Sequence, residues 1–158
     1  MIVLCSGTMS LADTAVLDGT VIKEQRPDGS YIWKLTAKKM VLEESLIQMK
    51  DSFIEIFSDD GERTAVIESV SGSYDTSSKL IILNDNKISL PEKKVSIINS
   101  YMRIDTVNKV FRAKNAVMYD LTAPQNVVSS REVSSGFSLN YFTHKGFELK
   151  TALPVVEE

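Results

Sequence analysis

Apolar and polar positions alternate along this chain in short runs, and turn-forming residues separate the runs. Tyr31, Trp33, Leu35 and Ala37 against Lys34, Thr36 and Lys38 have a period of two, the mark of a strand with one face in a core. Phe53–Phe57 (FIEIF) and Leu80–Leu83 (LIIL) are dense in β-forming apolar residues and predict strands buried on both faces. Between such runs stand Pro27-Asp28-Gly29-Ser30, Ser58-Asp59-Asp60-Gly61, Asp75-Thr76-Ser77-Ser78, Asn84-Asp85-Asn86 and Pro91-Glu92-Lys93-Lys94, each a turn signal. The spacing predicts an all-β chain. Lys38–Lys50 is the stretch with a rival pattern, because Leu42, Leu46 and Met49 also fit helical spacing; it is read as two strands with a turn at Glu43–Ser45.

The chain also resembles itself. A β run, a small residue, then an aliphatic or aromatic residue followed by an acid and a polar turn recur. The unit runs from Leu35-Thr36-Ala37 to Leu42-Glu43-Glu44-Ser45, from Ile67-Glu68-Ser69 to Tyr74-Asp75-Thr76-Ser77, and from Ile98-Asn99-Ser100 to Ile104-Asp105-Thr106-Val107. Glu43, Asp75 and Asp105 stand 32 and 30 positions apart, about the length of two long strands with their turns. Stacked antiparallel hairpins follow, in which the acid opens a turn by accepting from backbone N–H groups two residues on.

Charge and chemistry narrow the function. With 18 Lys+Arg against 21 Asp+Glu in 158 residues, there is no basic field to neutralise a phosphate backbone, so nucleic acid is not an expected partner. One histidine, His144, and one cysteine, Cys5, are too few for a zinc site or a histidine-activated nucleophile. No phosphate-binding glycine loop, metal-binding helix motif or nucleophile elbow occurs, so no catalytic residue, metal or cofactor is expected. An enzyme would have to use acids such as Asp59 and Asp60, and adjacent acids of a turn point apart.

Met1–Ala12 (MIVLCSGTMSLA) is uncharged and ends in Ser10-Leu11-Ala12, the small-residue spacing of a signal cleavage site before Asp13. It is read as an export signal or the remnant of a truncated membrane anchor, ahead of one domain over residues 13–158. An apolar first strand of a cytosolic protein is the competing reading. Acylation at Cys5 is disfavoured by Leu4.

Several runs together resemble the lipopolysaccharide export protein LptC: Asp28-Gly29-Ser30-Tyr31-Ile32-Trp33-Lys34-Leu35-Thr36-Ala37, Phe53-Ile54-Glu55-Ile56-Phe57-Ser58-Asp59-Asp60-Gly61, Ser69 to Tyr74-Asp75, and Tyr101-Met102-Arg103-Ile104-Asp105. Gly136-Phe137-Ser138-Leu139-Asn140 with Phe147-Glu148-Leu149-Lys150 looks like the family's last hairpin, so the resemblance spans about Leu17 to Val155. Two features depart from it. Asn84-Asp85-Asn86 stands where a glycine-asparagine pair is usual, and no complete transmembrane helix precedes the domain.

The resemblance implies an open, curved antiparallel β-jelly roll around a hydrophobic groove, in the periplasm and attached to the inner membrane through the N-terminal segment. It implies that lipopolysaccharide is taken from an inner-membrane transporter complex and passed to a periplasmic bridge protein of the same fold. Under strict alternation the groove positions are Leu35, Ile54, Ile56, Ile67, Ile82, Ile88, Ile98, Met102, Val117, Phe137 and Leu139, with Trp33 plugging one end. Simple core packing makes the same demand on these side chains. The edge strands expected to join the partners are Thr20–Glu24 toward the transporter and Phe147–Leu153 toward the bridge protein. Lys38-Lys39 and Lys93-Lys94 are read as solvated pairs rather than phosphate ligands, and His144 as an exposed turn residue. The alternative from another class is a structural or surface β-repeat module with a filled interior and no lipid ligand; a second alternative is a related bridge protein of the same export pathway, soluble and forming end-to-end filaments.

Overall fold

The computed structural model describes residues 14–92, 94–123 and 127–137. Among these residues nine strands form one antiparallel sheet: β1 (Thr14–Val16), β2 (Ile22–Gln25), β3 (Tyr31–Glu43), β4 (Leu46–Phe57), β5 (Arg63–Asp75), β6 (Leu80–Leu90), β7 (Val95–Asp105), β8 (Val110–Asp120) and β9 (Val127–Gly136). From β3 to β9 each strand pairs with the next, as stacked hairpins require, while β1 and β2 both pair with β3, at its two ends. The sheet is open and curved. Lys38–Lys50 is strand on both sides of a turn, with Glu44 at its apex in the left-handed region (φ 54°).

The repeat has a structural cause. Glu43, Asp75 and Asp105 are the last residues of β3, β5 and β7. Asp75 accepts from the backbone N–H of Ser77 (2.8 Å) and Asp105 from that of Val107 (3.0 Å), so these acids open their turns as expected. The following threonines stitch one turn to the one before it. Thr76 donates through N–H (2.8 Å) and hydroxyl (3.0 Å) to Ser45 O, and Thr106 does the same to Lys79 O (3.2 and 2.9 Å).

Each of β3 to β8 shifts its alternation near its middle. In β4 the buried positions are Ile47 and Met49, then Ser52, Ile54 and Ile56; in β6, Ile81 and Leu83, then Asn86, Ile88 and Leu90; in β7, Ile97 and Asn99, then Met102 and Ile104. The pairing lapses at these breaks and resumes in step on both sides, so a crease crosses the sheet from Lys38 through Asp51, Val70, Asp85 and Asn115 to Arg131. Asp51, Asp85 and Asn115, in alternate strands, have φ of 50°, 53° and 52°. Asp and Asn tolerate this region better than other side-chain-bearing residues, and one such residue moves all later side chains to the opposite phase. Asn84-Asp85-Asn86 is therefore the crease of β6 and not the turn its composition predicts.

The two halves of the folded sheet enclose one core, whose largest buried side chains are Trp33, Tyr74 and Phe111, each at most 1% exposed. Trp33 meets Tyr74 edge-on at 6.1 Å between centroids. A flat sheet would hold β2 and β8 about 29 Å apart, six strand spacings. Glu24 of β2 nevertheless pairs with Lys109, the residue before β8, so the sheet rolls until its distant parts meet.

Candidate lipid-binding groove

Strand alternation, corrected at the crease, decides where each expected groove residue lies. Leu35, Ile54, Ile56, Ile67, Ile88 and Met102 are in the core together with Trp33, all at most 1% exposed. Phe137 packs partly buried against the same core and stacks on Phe111 (4.7 Å). Three residues depart from strict alternation. Ile82 lies between buried Ile81 and Leu83 and faces outward; Ile98, next to buried Ile97, is 48% exposed; Val117, next to buried Ala116, is half-buried on the outer face. A single phase carried through the whole strand points each of them inward; the left-handed residues Asp85 and Asn115 reverse that phase on β6 and β8, and Ile98 on β7 follows its register partners Lys87 and Val117 to the outer face. Leu139, Lys93, His144, Met1–Ala12 and the edge Phe147–Leu153 lie outside the described residues.

The interior is lined by buried apolar side chains of β2 to β8. One polar row crosses it beneath the crease: Ser52, Ser69, Asn86 and Asn99 sit opposite one another in register on β4 to β7, all buried. The Ser52 and Ser69 hydroxyls share a hydrogen bond (3.0 Å), and Asn86 donates to Asn99 Oδ1 (2.8 Å) and to Leu83 O (3.2 Å). Asn86 Oδ1 and Asn99 Nδ2 have no partner among the described residues. A polar row in a low-dielectric core fixes register, because a shifted strand would leave these groups facing apolar neighbours.

A second concavity lies on the outer face. It is a groove of about 740 Å³ along the crease, spanning β4 to β8. Phe53, Glu68, Lys87, Ile98 and Val117 form one in-register row across it. Val70 (54% exposed) and Tyr119 (37%) add to its apolar surface. Ile98 and Val117 are thus brought together here, away from the other expected groove residues. Sequence reasoning missed Phe53, Val70 and Tyr119 as their neighbours. The signal that would have found them is the asparagines, aspartates and serines at mid-strand, read as a phase break instead of a turn.

At the rolled seam, Glu24 accepts from Trp33 Nε1 (2.7 Å) and from Lys109 Nζ, which also donates to Thr106 O. Burial first, then the negative charges of Glu24 and Asp75, raise the pKa of the Tyr74 phenol, whose hydroxyl has no partner among the described residues. On the surface, burial opposes ionisation of Glu55, but hydrogen bonds from Lys34 and Arg63 outweigh it and hold the carboxyl below its ordinary range. Asp59 pairs with Arg26 (3.2 Å) and Asp60 accepts from the Ser58 hydroxyl, so the adjacent acids are spent on the turn. Among the described residues, no group of three or more His, Cys, Asp or Glu is placed to hold a metal ion, and no helix is long and apolar enough to cross a membrane. No protein-family model and no curated protein matches the chain.

Proposed function

We propose that the protein is a non-enzymatic lipid-transfer module of the lipopolysaccharide export type, working in the periplasm beside the inner membrane. Its roll would shelter acyl chains between an inner-membrane transporter and a like-folded bridge protein, with lipopolysaccharide as the cargo. The observation that carries this reading is the sheet, unclosed among the described residues, around an apolar interior crossed by one polar row, with β2 left as a short strand at the seam. Sheltering an acyl chain removes about 0.8 kcal/mol of hydration cost per CH₂ and needs no covalent chemistry. Strand addition at the ends of the open sheet would supply the protein contacts, since β2 pairs with β3 alone among the described residues.

The packing of the inward side chains into one buried cluster favours a second reading, a structural β-repeat module without a lipid ligand. Photoreactive residues at Ile54, Met102 and Ile98, with exposed Lys38 as control, separate the two in purified protein mixed with lipopolysaccharide. Lipid labelling at Ile54 and Met102 supports the carrier. Labelling at Ile98 alone moves the lipid to the outer groove, and labelling nowhere leaves the structural module.

A further inference from the structure

We propose that the seam between β2 and the β7–β8 turn is the mouth through which an acyl chain bearing an anionic headgroup reaches the interior, with Glu24 and Lys109 as its latch. This rests on the lipid-carrying reading and says where and how the chain would be admitted. Trp33, Tyr74 and Phe111 are each at most 1% exposed, so an acyl chain reaches them from outside only if some covering element moves. β2 has the smallest hold on the rest of the sheet of any strand that covers this aromatic end. It is four residues long, pairs only with β3 among the described residues, and has a register irregularity between Glu24 and Gln25. Gly19 (φ 61°) precedes it and Gly29 (φ 89°) follows it, both in open space with nothing within 4 Å of an added Cβ, so the chain has conformational freedom at each end of the strap.

What holds β2 across the seam is Glu24, which grips Trp33 in the neighbouring strand and Lys109 from a turn 85 residues away. The side chains of Glu24 and Lys109 are 24% and 30% exposed, so water reaches the pair and it exchanges without a large desolvation penalty. Ile22 points inward from the same strap, fully buried, opposite Leu35. Swinging β2 outward withdraws Ile22, uncovers Trp33, and frees the Lys109 ammonium at the rim of the opened interior. An anionic headgroup then replaces Glu24 as its counter-ion, while the acyl chain takes the volume that Ile22 vacates. The latch is therefore selective: an uncharged or zwitterionic headgroup gives Lys109 a poorer exchange.

Trp33 is the only tryptophan of the chain, so its fluorescence reports the mouth directly. Acrylamide quenching of Trp33 and hydrogen exchange of the Ile22–Gln25 amides are measured without lipid in three proteins. These are the unaltered chain, Lys109→Met, and Lys23→Cys/Lys34→Cys, which bridges two residues paired in register on β2 and β3. Lys109→Met should raise both readouts about five-fold while β5–β7 exchange unchanged, and the oxidised bridge should suppress both until it is reduced. Equal exchange of β2 in the unaltered chain and Lys109→Met overturns the latch. Lysophosphatidic acid and lysophosphatidylcholine of equal chain length are then tested for photolabelling at Ile54 and Met102. The anionic lipid should label more, and the oxidised bridge should block labelling reversibly. Labelling of the bridged form at full strength overturns the mouth and leaves the carrier reading standing. No labelling of any form removes the carrier reading and the mouth with it.

Discussion

Two buried residues in this roll are under opposite kinds of pressure. Tyr74 presents a hydroxyl to the core with no partner among the described residues, and leaving a buried polar group unpaired costs about 1–3 kcal/mol. Tyr74→Phe should therefore raise stability, by about 1 kcal/mol or 2–4 °C in melting temperature for a chain of this size, read by thermal unfolding. Burial, then the charges of Glu24 and Asp75, raise the phenol's pKa, so the folded protein keeps this proton more tightly than the unfolded chain. That contribution is whole below the ordinary tyrosine value of about 10 and is lost as pH climbs toward the folded value. The advantage of Phe over Tyr should thus widen above about pH 10. Gly72 faces the reverse problem, because a Cβ there would lie 2.5 Å from Ile82 O and 2.8 Å from Leu83 Cδ2. The nearer atom is backbone and cannot step aside, so Gly72→Ala should cost about 1–3 kcal/mol, measured as a shift in the urea midpoint.

At the scale of the strand, a left-handed residue near the middle of β4, β6 and β8 decides which half of the side-chain series is inside. Asp85 bears this on β6, and its exposed side chain makes no hydrogen bond among the described residues that Gly would lose. Asp85→Gly removes the steric cost of φ 53° and should stabilise by several tenths of a kcal/mol, whereas Asp85→Val should destabilise by about 1–2 kcal/mol. Equal effects of the two substitutions in chemical unfolding would deny the crease its steric role. The same residue shows what the sequence made legible. The strands, their turns and the 30-residue recurrence were readable because period-two burial and Asx turns are local properties, as Trp33–Leu35 and Asp75–Ser77 show. The outward placement of Ile82 and Val117 was not readable from alternation, because it depends on the torsion of Asp85 or Asn115 in the same strand, and that of Ile98 depends on its pairing with those neighbouring strands. Asn84-Asp85-Asn86 has the composition of a turn whether the chain reverses there or only creases. The Glu24–Lys109 pair was still less accessible, since it joins residues that meet only when the whole sheet has rolled.

Across the whole molecule, the carboxylates set the pH range in which the roll holds together. Asp28, Asp60, Asp75, Asp105 and Asp120 all have lowered pKa values in exposed turns. For Asp75 the main causes are the backbone N–H groups of Ser77 and Ser78, and for Asp105 the backbone and side chain of Asn108. The folded chain therefore binds protons at these sites less readily than the unfolded chain, so acid favours unfolding. Their stabilisation is complete above the ordinary aspartate value of about 4 and is lost as pH falls through the lower folded values. Because these turns join the hairpins on which the repeat is built, protonation loosens the stack at several places at once, and the acid transition should stay cooperative. Melting temperature should be flat from about pH 5 to 8 and fall below about pH 4. Asp75→Asn with Asp105→Asn retains an acceptor oxygen for each turn but removes two titrating groups. The double variant should be less stable than the unaltered protein at pH 7, approach it near pH 2, and show a shallower acid limb. Parallel acid limbs for the two proteins would place the proton uptake elsewhere and separate the turn carboxylates from acid stability.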